Sequence, residues 1–209
     1  MKNIALGIIA AILALVFATG AGLGFIHVSD FPYRMDVEGL EISESSGLPK
    51  EEILENYNAT MKFLSPFRNR PFALPTLGYS EMGSYHFEQC KLFFNVVYAA
   101  ALLSGFFLLL FGAMGKLRKR VLQIGGFLTL AIPCFLGAMM ALNFDKVFTI
   151  FHSIFFEGST WIFDPAVDEI INILPQEFFM HCGVLIACFW LAAAALMLFA
   201  GYHKGKEAV

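Results

Sequence analysis

Residues 92–144 decide the fold: LFFNVVYAAALLSGFFLLLFGAMGKLRKRVLQIGGFLTLAIPCFLGAMMALNF. Two runs, 92–114 and 121–144, contain no Asp, Glu, Lys or Arg. Between them stands Gly115-Lys116-Leu117-Arg118-Lys119-Arg120. A helix needs roughly 20 apolar residues to cross about 30 Å of hydrocarbon, and each run supplies that length. A short, densely basic connection of this kind stays on the cytoplasmic side of a membrane. The stretch therefore predicts two membrane spans joined by an inside turn.

Two more runs, 4–26 and 178–202, lack these four residue types over a similar length. The chain is 58% hydrophobic and 15% charged, where a soluble domain carries about 25% charge. The expected fold is an all-α polytopic membrane protein with four transmembrane helices, 4–26, 92–114, 121–144 and 178–202. The first run exceeds the roughly 7–15 apolar residues of a signal-peptide core. Ala18-Thr19-Gly20 is a poor cleavage site, so a retained helix is expected. One side of the membrane then holds Lys2, the basic loop 115–120 and the tail 203–209, with Lys204 and Lys206 against Glu207. The opposite side holds every other acid. Both termini are expected in the cytoplasm. Connections 27–91 and 145–177 are expected to form an extracytoplasmic cap. Acidity of that cap argues against nucleic acid as a partner.

Inside the spans, Gly7, Ala11, Ala14, Ala18 and Gly22 form a small-residue stripe that suits close helix packing. Pro133 is expected to kink the third span. No span carries a charged side chain, and intramembrane charges mark ion and proton pathways, so a pump or channel is disfavoured. Cys134 and Cys188 read as small packing residues. Cys90 and Cys182 fall near the outer face, where a disulfide is conceivable though no spacing supports it. No Cys-x-x-Cys is present.

In the cap, residues 39–48 read as a loop or short strands. Pro49-Lys50-Glu51-Glu52 opens a helix, since proline suits the first turn and acids favour its positive end. Ile53, Tyr57, Met61 and Leu64 give it one apolar stripe, and Pro66 stops it. Residues 71–75 are extended. Ser80-Glu81-Met82-Gly83 caps a helix running through His86, Glu88 and Lys91 into the second span. Gly158-Ser159-Thr160 is a turn. Asp164 caps a short helix over 166–174, and Pro175 opens the last long helix.

His86 and His152 thus fall on one side of the membrane at similar depth. Imidazoles titrate near neutral pH, and two of them in proximity can serve as base and acid. Glu88 on one side, and Asp145 or Asp164 on the other, are candidates to orient them. The plain alternative is that both histidines are interfacial packing residues. His27 and His203 read as boundary residues, and His181 stands alone. Phe151, Phe155, Phe156, Trp161 and Phe163 suit either a dry pocket wall or an interfacial aromatic belt. Arg68 and Arg70 suit a lipid phosphate or solvent acids. No metal-ligand motif and no Gly-x-Ser-x-Gly occurs, so neither a metal nor another cofactor is expected. The residues leave open an enzyme that uses the two histidines as acid and base, a lipid hydrolase among such enzymes, and a non-enzymatic membrane binding protein.

Phe151-His152-Ser153-Ile154-Phe155-Phe156, Trp161-Ile162-Phe163-Asp164-Pro165, Asp168 and Leu174-Pro175 resemble one block of the lipoprotein intramolecular transacylase (Lit) family of Gram-positive bacteria. Ser80-Glu81, His86, Glu88 and Lys91 resemble its other block. Gln89-Cys90 departs from it, standing where a pair such as Asp-Val is expected. The resemblance implies an acyltransferase. Such an enzyme moves the sn-2 acyl chain of a diacylglyceryl lipoprotein to the α-amine of its N-terminal cysteine, giving the lyso form. It implies His86 and His152 as catalytic residues, with His86 the favoured base. Supporting or substrate-binding roles fall to Glu81, Glu88, Phe151, Phe155, Phe156, Trp161 and Asp164. The implied partners are diacylated bacterial lipoproteins and membrane lipid, with the enzyme a monomer.

Overall fold

A computed structural model describes residues 1–66 and 69–206, with side chains through residue 204. Arg68 and Glu207, both used in the charge reading, lie outside the described residues. The described chain is helical and has no strand. Its elements are α1 (Lys2–Val28), α2 (Phe31–Gly39), α3 (Ile42–Ser46), α4 (Lys50–Leu64), α5 (Glu81–Ala113), α6 (Lys119–Phe155), a 3-10 turn (Glu169–Asn172) and α7 (Gln176–Lys206). Four helices, α1, α5, α6 and α7, are long and apolar enough to cross a membrane.

The chain divides into two compact units. One comprises Met1–Leu23, Val97–Leu142 and Gly183–Val209; the other comprises Gly24–Val96 and Asn143–Cys182.

The first unit packs through small residues. Ala10, Ala11, Ala14 and Ala18 are buried. A Cβ on Gly20 would lie 2.3 Å from the Ala101 Cβ, and one on Gly7 would lie 2.6 Å from Ile124. Hydrocarbon gives helices no hydrophobic reason to associate, so close backbone contact and polar pairs must hold them. One such pair is the Trp190 indole N–H donating to Thr19 Oγ1 at 2.9 Å.

The second unit has a conventional apolar core, including Tyr33, Ile53, Tyr57, Phe63, Phe72, Phe87, Ile170 and Phe178. Pro49 is the N-cap of α4, and the stripe read from the sequence widens to a face that also buries Leu54, Asn56, Thr60 and Phe63. Tyr33 and Tyr57 stack at 3.7 Å, and the Tyr33 hydroxyl donates to the Ile173 carbonyl at 2.6 Å. Burial pushes both phenols well above the usual tyrosine range.

Two local expectations are corrected, and α6 holds a break that the sequence did not single out. Residues 39–48 hold no strand but the short helix α3, flanked by Glu41 and Gly47 in the left-handed region at φ 51° and 71°. The break in α6 falls at Asn143 (φ −164°, ψ 88°), beyond Pro133, which lies inside the helix. Asn143 Oδ1 accepts the Lys146 N–H at 2.9 Å, so this residue caps a fresh helical start. Residues 166–174 form turns and the 3-10 segment, because Asp164 spends its carbonyl on the N–H groups of Val167 and Asp168. The four cysteines are free.

Candidate active site

Two pieces of the second unit carry the candidate residues: the first turns of α5, and the end of α6 with the loop after it. Both lie beyond the charge-free runs, since Glu81, Glu88 and Lys91 occupy the start of α5, while Asp145 and Lys146 follow the break in α6.

Several polar contacts position the start of α5. Buried Asn56 on α4 donates to Thr76 Oγ1 at 2.8 Å, and its oxygen accepts the N–H groups of Thr76 and Leu77. Glu169 Oε2 accepts the Gly78 N–H at 2.6 Å. Asp168, 5% exposed, accepts the Ser80 N–H at 2.7 Å and the Ser80 hydroxyl at 3.1 Å. Ser80 Oγ in turn accepts the Gly83 N–H at 2.9 Å, as an N-cap does. A Cβ on Gly83 would fall 2.3 Å from Asp168 Oδ1, so the carboxylate sits against bare backbone.

On this frame, His86 and His152 come together. Their ring centroids are 5.8 Å apart with planes at 34°, and the residues are 6% and 9% exposed. Phe156 packs against both, 4.7 Å from His86 and 5.3 Å from His152. Trp161 lies 4.8 Å from His152 and Phe163 lies 5.6 Å from His86. Phe148 is closest, 4.1 Å from His152.

The nitrogens are not equivalent. His152 Nδ1 is 2.8 Å from the Phe148 carbonyl, which can only accept, so Nδ1 carries the proton and donates it. His86 Nε2 is 3.4 Å from Cys90 Sγ. The buried His86 Nδ1 has no hydrogen-bond partner, the kind of atom whose presence in a native interior calls for an explanation. Burial first, then the neighbouring His152 ring, bring His86 down to about 4, with Gln89 acting in the opposite sense. Burial also lowers His152, against the Phe148 carbonyl, which favours its charged form. Both rings are therefore neutral imidazoles at pH 7.

Other candidates separate. Phe151 is 5.4 Å from His152. Phe155 meets Phe93 and Phe151 rather than a histidine. Glu81 and Glu88 are exposed and, with Met82, Ser84 and Tyr85, line a groove of about 440 Å³. Neither makes a hydrogen bond to His86. Asp164 accepts the Ala166 N–H at 3.0 Å and shapes its own turn. His181 pairs with Asp36 at 2.7 Å. Thr160, not singled out from sequence, donates to Gln89 Oε1 at 2.8 Å and ties the loop to the His86 turn. Phe148 and Cys90 were legible in principle, each one helical turn from a histidine. Among the described residues no three His, Cys, Asp or Glu side chains converge as a metal site requires.

The sequence matches the family described as Lipoprotein intramolecular transacylase Lit over residues 5–179. A relative from Aquifex aeolicus (strain VF5), described as an uncharacterized protein, is 30% identical over 93 residues. That match spans 42% of this chain and 43% of the relative. Among solved structures, the membrane integral lipoprotein intramolecular transacylase Lit from Bacillus cereus aligns with TM-score 0.84 and 28% identity. The alignment covers 99% of this chain and 97% of that one. Variants of that protein with a histidine replaced by arginine or by alanine each align with TM-score 0.79 and 29% identity. They cover 99% of this chain and 93% or 94% of theirs.

Proposed function

The chain belongs to the lipoprotein intramolecular transacylase Lit family, a group of membrane acyltransferases, and from that premise we propose its substrate and chemistry. The substrate is a diacylglyceryl lipoprotein with a free α-amine on its N-terminal cysteine. The enzyme moves the sn-2 acyl chain from the glycerol oxygen to that amine. The product is an N-acylated lyso-lipoprotein.

The observation that carries this reading is the pair of buried, neutral imidazoles 5.8 Å apart among aromatic rings. The amine nitrogen attacks the ester carbonyl carbon; the N–C bond forms and the C–O bond to glycerol breaks. One imidazole accepts the proton shed by the amine, and the other polarises the ester. The proton ends on the glycerol oxygen. Ester plus amine becomes amide plus alcohol, so neither water nor a nucleotide enters the balance. The substrate brings both nucleophile and electrophile, which fits a site with no activated serine. Holding amine and ester in register supplies about 7–11 kcal/mol of the barrier, and acid–base assistance adds about 100- to 10,000-fold. Phe148, Phe156, Trp161 and Phe163 keep out water, which would otherwise compete for the acyl group. Half-exposed Phe151 and Phe155 suit contact with acyl chains.

The site faces the outside of the cell with both termini in the cytoplasm, a reading supported by the bases of loop 115–120. Mass spectrometry of a host lipoprotein, with and without this enzyme, tests the function. An acyl chain relocated to the cysteine amine is expected. Free fatty acid with no N-acyl product identifies a hydrolase instead, and an unchanged diacyl form in active membranes refutes the proposal. His86→Ala and His152→Ala should each lower transfer by about 100-fold or more while the protein stays in the membrane. Wild-type activity in either variant removes that residue from the mechanism.

A further inference from the structure

We propose that Cys90 is a positioning residue that selects the working nitrogen of His86. Its thiol donates S–H to His86 Nε2, so that His86 presents Nδ1–H to the ester while His152 presents its Nε2 lone pair to the amine. The inference rests on the acyl-transfer reading above and assigns its atoms, making His152 rather than His86 the base.

Two contacts and one unpartnered atom carry it. Cys90 stands one turn beyond His86 on α5, with Sγ 3.4 Å from Nε2. A thiol can donate through S–H or accept weakly at sulfur; with the thiol as donor, this contact leaves the His86 proton on Nδ1. That Nδ1 is the buried atom with no partner at hydrogen-bond geometry, the Gln89 side chain, whose oxygen already accepts from Thr160, acting on the ring as the smallest of three influences; it is a donor awaiting an oxygen. On the other ring, the 2.8 Å bond from Nδ1–H to the Phe148 carbonyl leaves Nε2 as a lone pair. Hydrogen bonding at one ring nitrogen decides the chemistry of the other. Burial pushes the Cys90 thiol up to about 12, which keeps it an S–H donor and not a thiolate nucleophile.

The roles balance. His152 Nε2 takes a proton from the amine as the N–C bond forms. The negative charge growing on the carbonyl oxygen accepts a hydrogen bond from His86 Nδ1–H, as an oxyanion hole provides. When the C–O bond breaks, the glycerol oxygen takes the proton from His152, and both rings end neutral. His86 never gives up its proton, because the N–H of a neutral imidazole is too weak an acid to do so at pH 7.

Full-length protein with ¹⁵N-labelled histidine, in detergent micelles at pH 7.5, tests the assignment directly. Both His86 and His152 should show a protonated Nδ1 and an unprotonated Nε2. A proton on His86 Nε2 in the wild type overturns the proposal. In turnover assays, Cys90→Ala frees the ring to mix tautomers, and kcat should fall about 10-fold with KM within about twofold, a part of the usual acid–base contribution. Cys90→Ser, which keeps a donor, should recover most of the loss. Wild-type kcat and unchanged His86 ring shifts in Cys90→Ala also overturn the proposal. A wild-type enzyme that forms no N-acyl product refutes the acyl-transfer reading instead, and the ring spectra then stand as a separate result.

Discussion

His86 and His152 are buried imidazoles, and their burial has a consequence in pH. A solvated histidine changes charge near pH 6.5, whereas His86 is held at about 4 and His152 is also lowered. The ionisations of the pair should therefore fall below the ordinary histidine value, His86 far below it. The substrate amine, with an ordinary pKa of about 7.7–8.0, must be neutral to attack. The rate of transfer should accordingly rise through a single ionisation near pH 8. A second limb near 6.5 in the pH–rate profile would mean a solvated catalytic histidine. Stability responds with a definite sign. A group whose folded pKa is depressed contributes stability above its unfolded value, and that stability is lost as pH falls toward the folded value. Melting temperature should drop as pH falls from 6.5 toward 4. The drop should be smaller in a His86→Phe, His152→Phe double variant, and an unchanged pH dependence there would show that the rings titrate freely.

Helix α5 begins at Ser80 because several separate signals agree there. The Ser80 hydroxyl caps the Gly83 N–H, Asp168 accepts from Ser80, and Glu169 accepts the Gly78 N–H. These bonds hold the His86 turn against the chain that follows α6. Asp168→Ala leaves the Ser80 donors without a buried acceptor, at a cost of about 1–3 kcal/mol. For a chain of this length each kcal/mol lowers the melting temperature by about 2–4 °C. Both melting temperature and transfer rate should fall, and a variant that melts like the wild type would show the clasp to be dispensable. Helix α6 works differently. Its restart at Asn143, with the side-chain oxygen on the Lys146 N–H, sets the turn that carries Phe148 and His152. Ser80 as a cap could be read from Ser-x-x-Gly before an apolar run. Asn143 could not outrank Pro133 in sequence, because proline announces itself and a side-chain cap inside a long apolar segment does not.

The whole molecule uses two kinds of packing. The unit of Gly24–Val96 and Asn143–Cys182 closes over aromatic and aliphatic side chains. In the other unit, glycines let helices touch. Gly20→Leu would drive a Cβ to within 2.3 Å of the Ala101 Cβ, whereas Gly137 has nothing within 4 Å. Gly20→Leu should lower the yield and melting temperature of the purified protein, while Gly137→Leu should leave both near wild type. Equal behaviour of the two variants would refute close packing at Gly20.

Four spans, the basic loop between the middle two and the helical class were legible from residues alone, because burying a backbone in hydrocarbon demands long uncharged helices and the chain writes them openly. The two histidines could also be singled out, by type and by the motif around them. Their 5.8 Å approach, the bond from His152 to the Phe148 carbonyl, the unpartnered Nδ1 of His86 and the turn of Glu81 and Glu88 away from it could not. Those depend on the rotation of α5 about its axis and on where α6 restarts. The first is held by contacts such as Asp168 with Ser80, between residues far apart along the chain, and the second by a side-chain cap at Asn143 within an otherwise helical run.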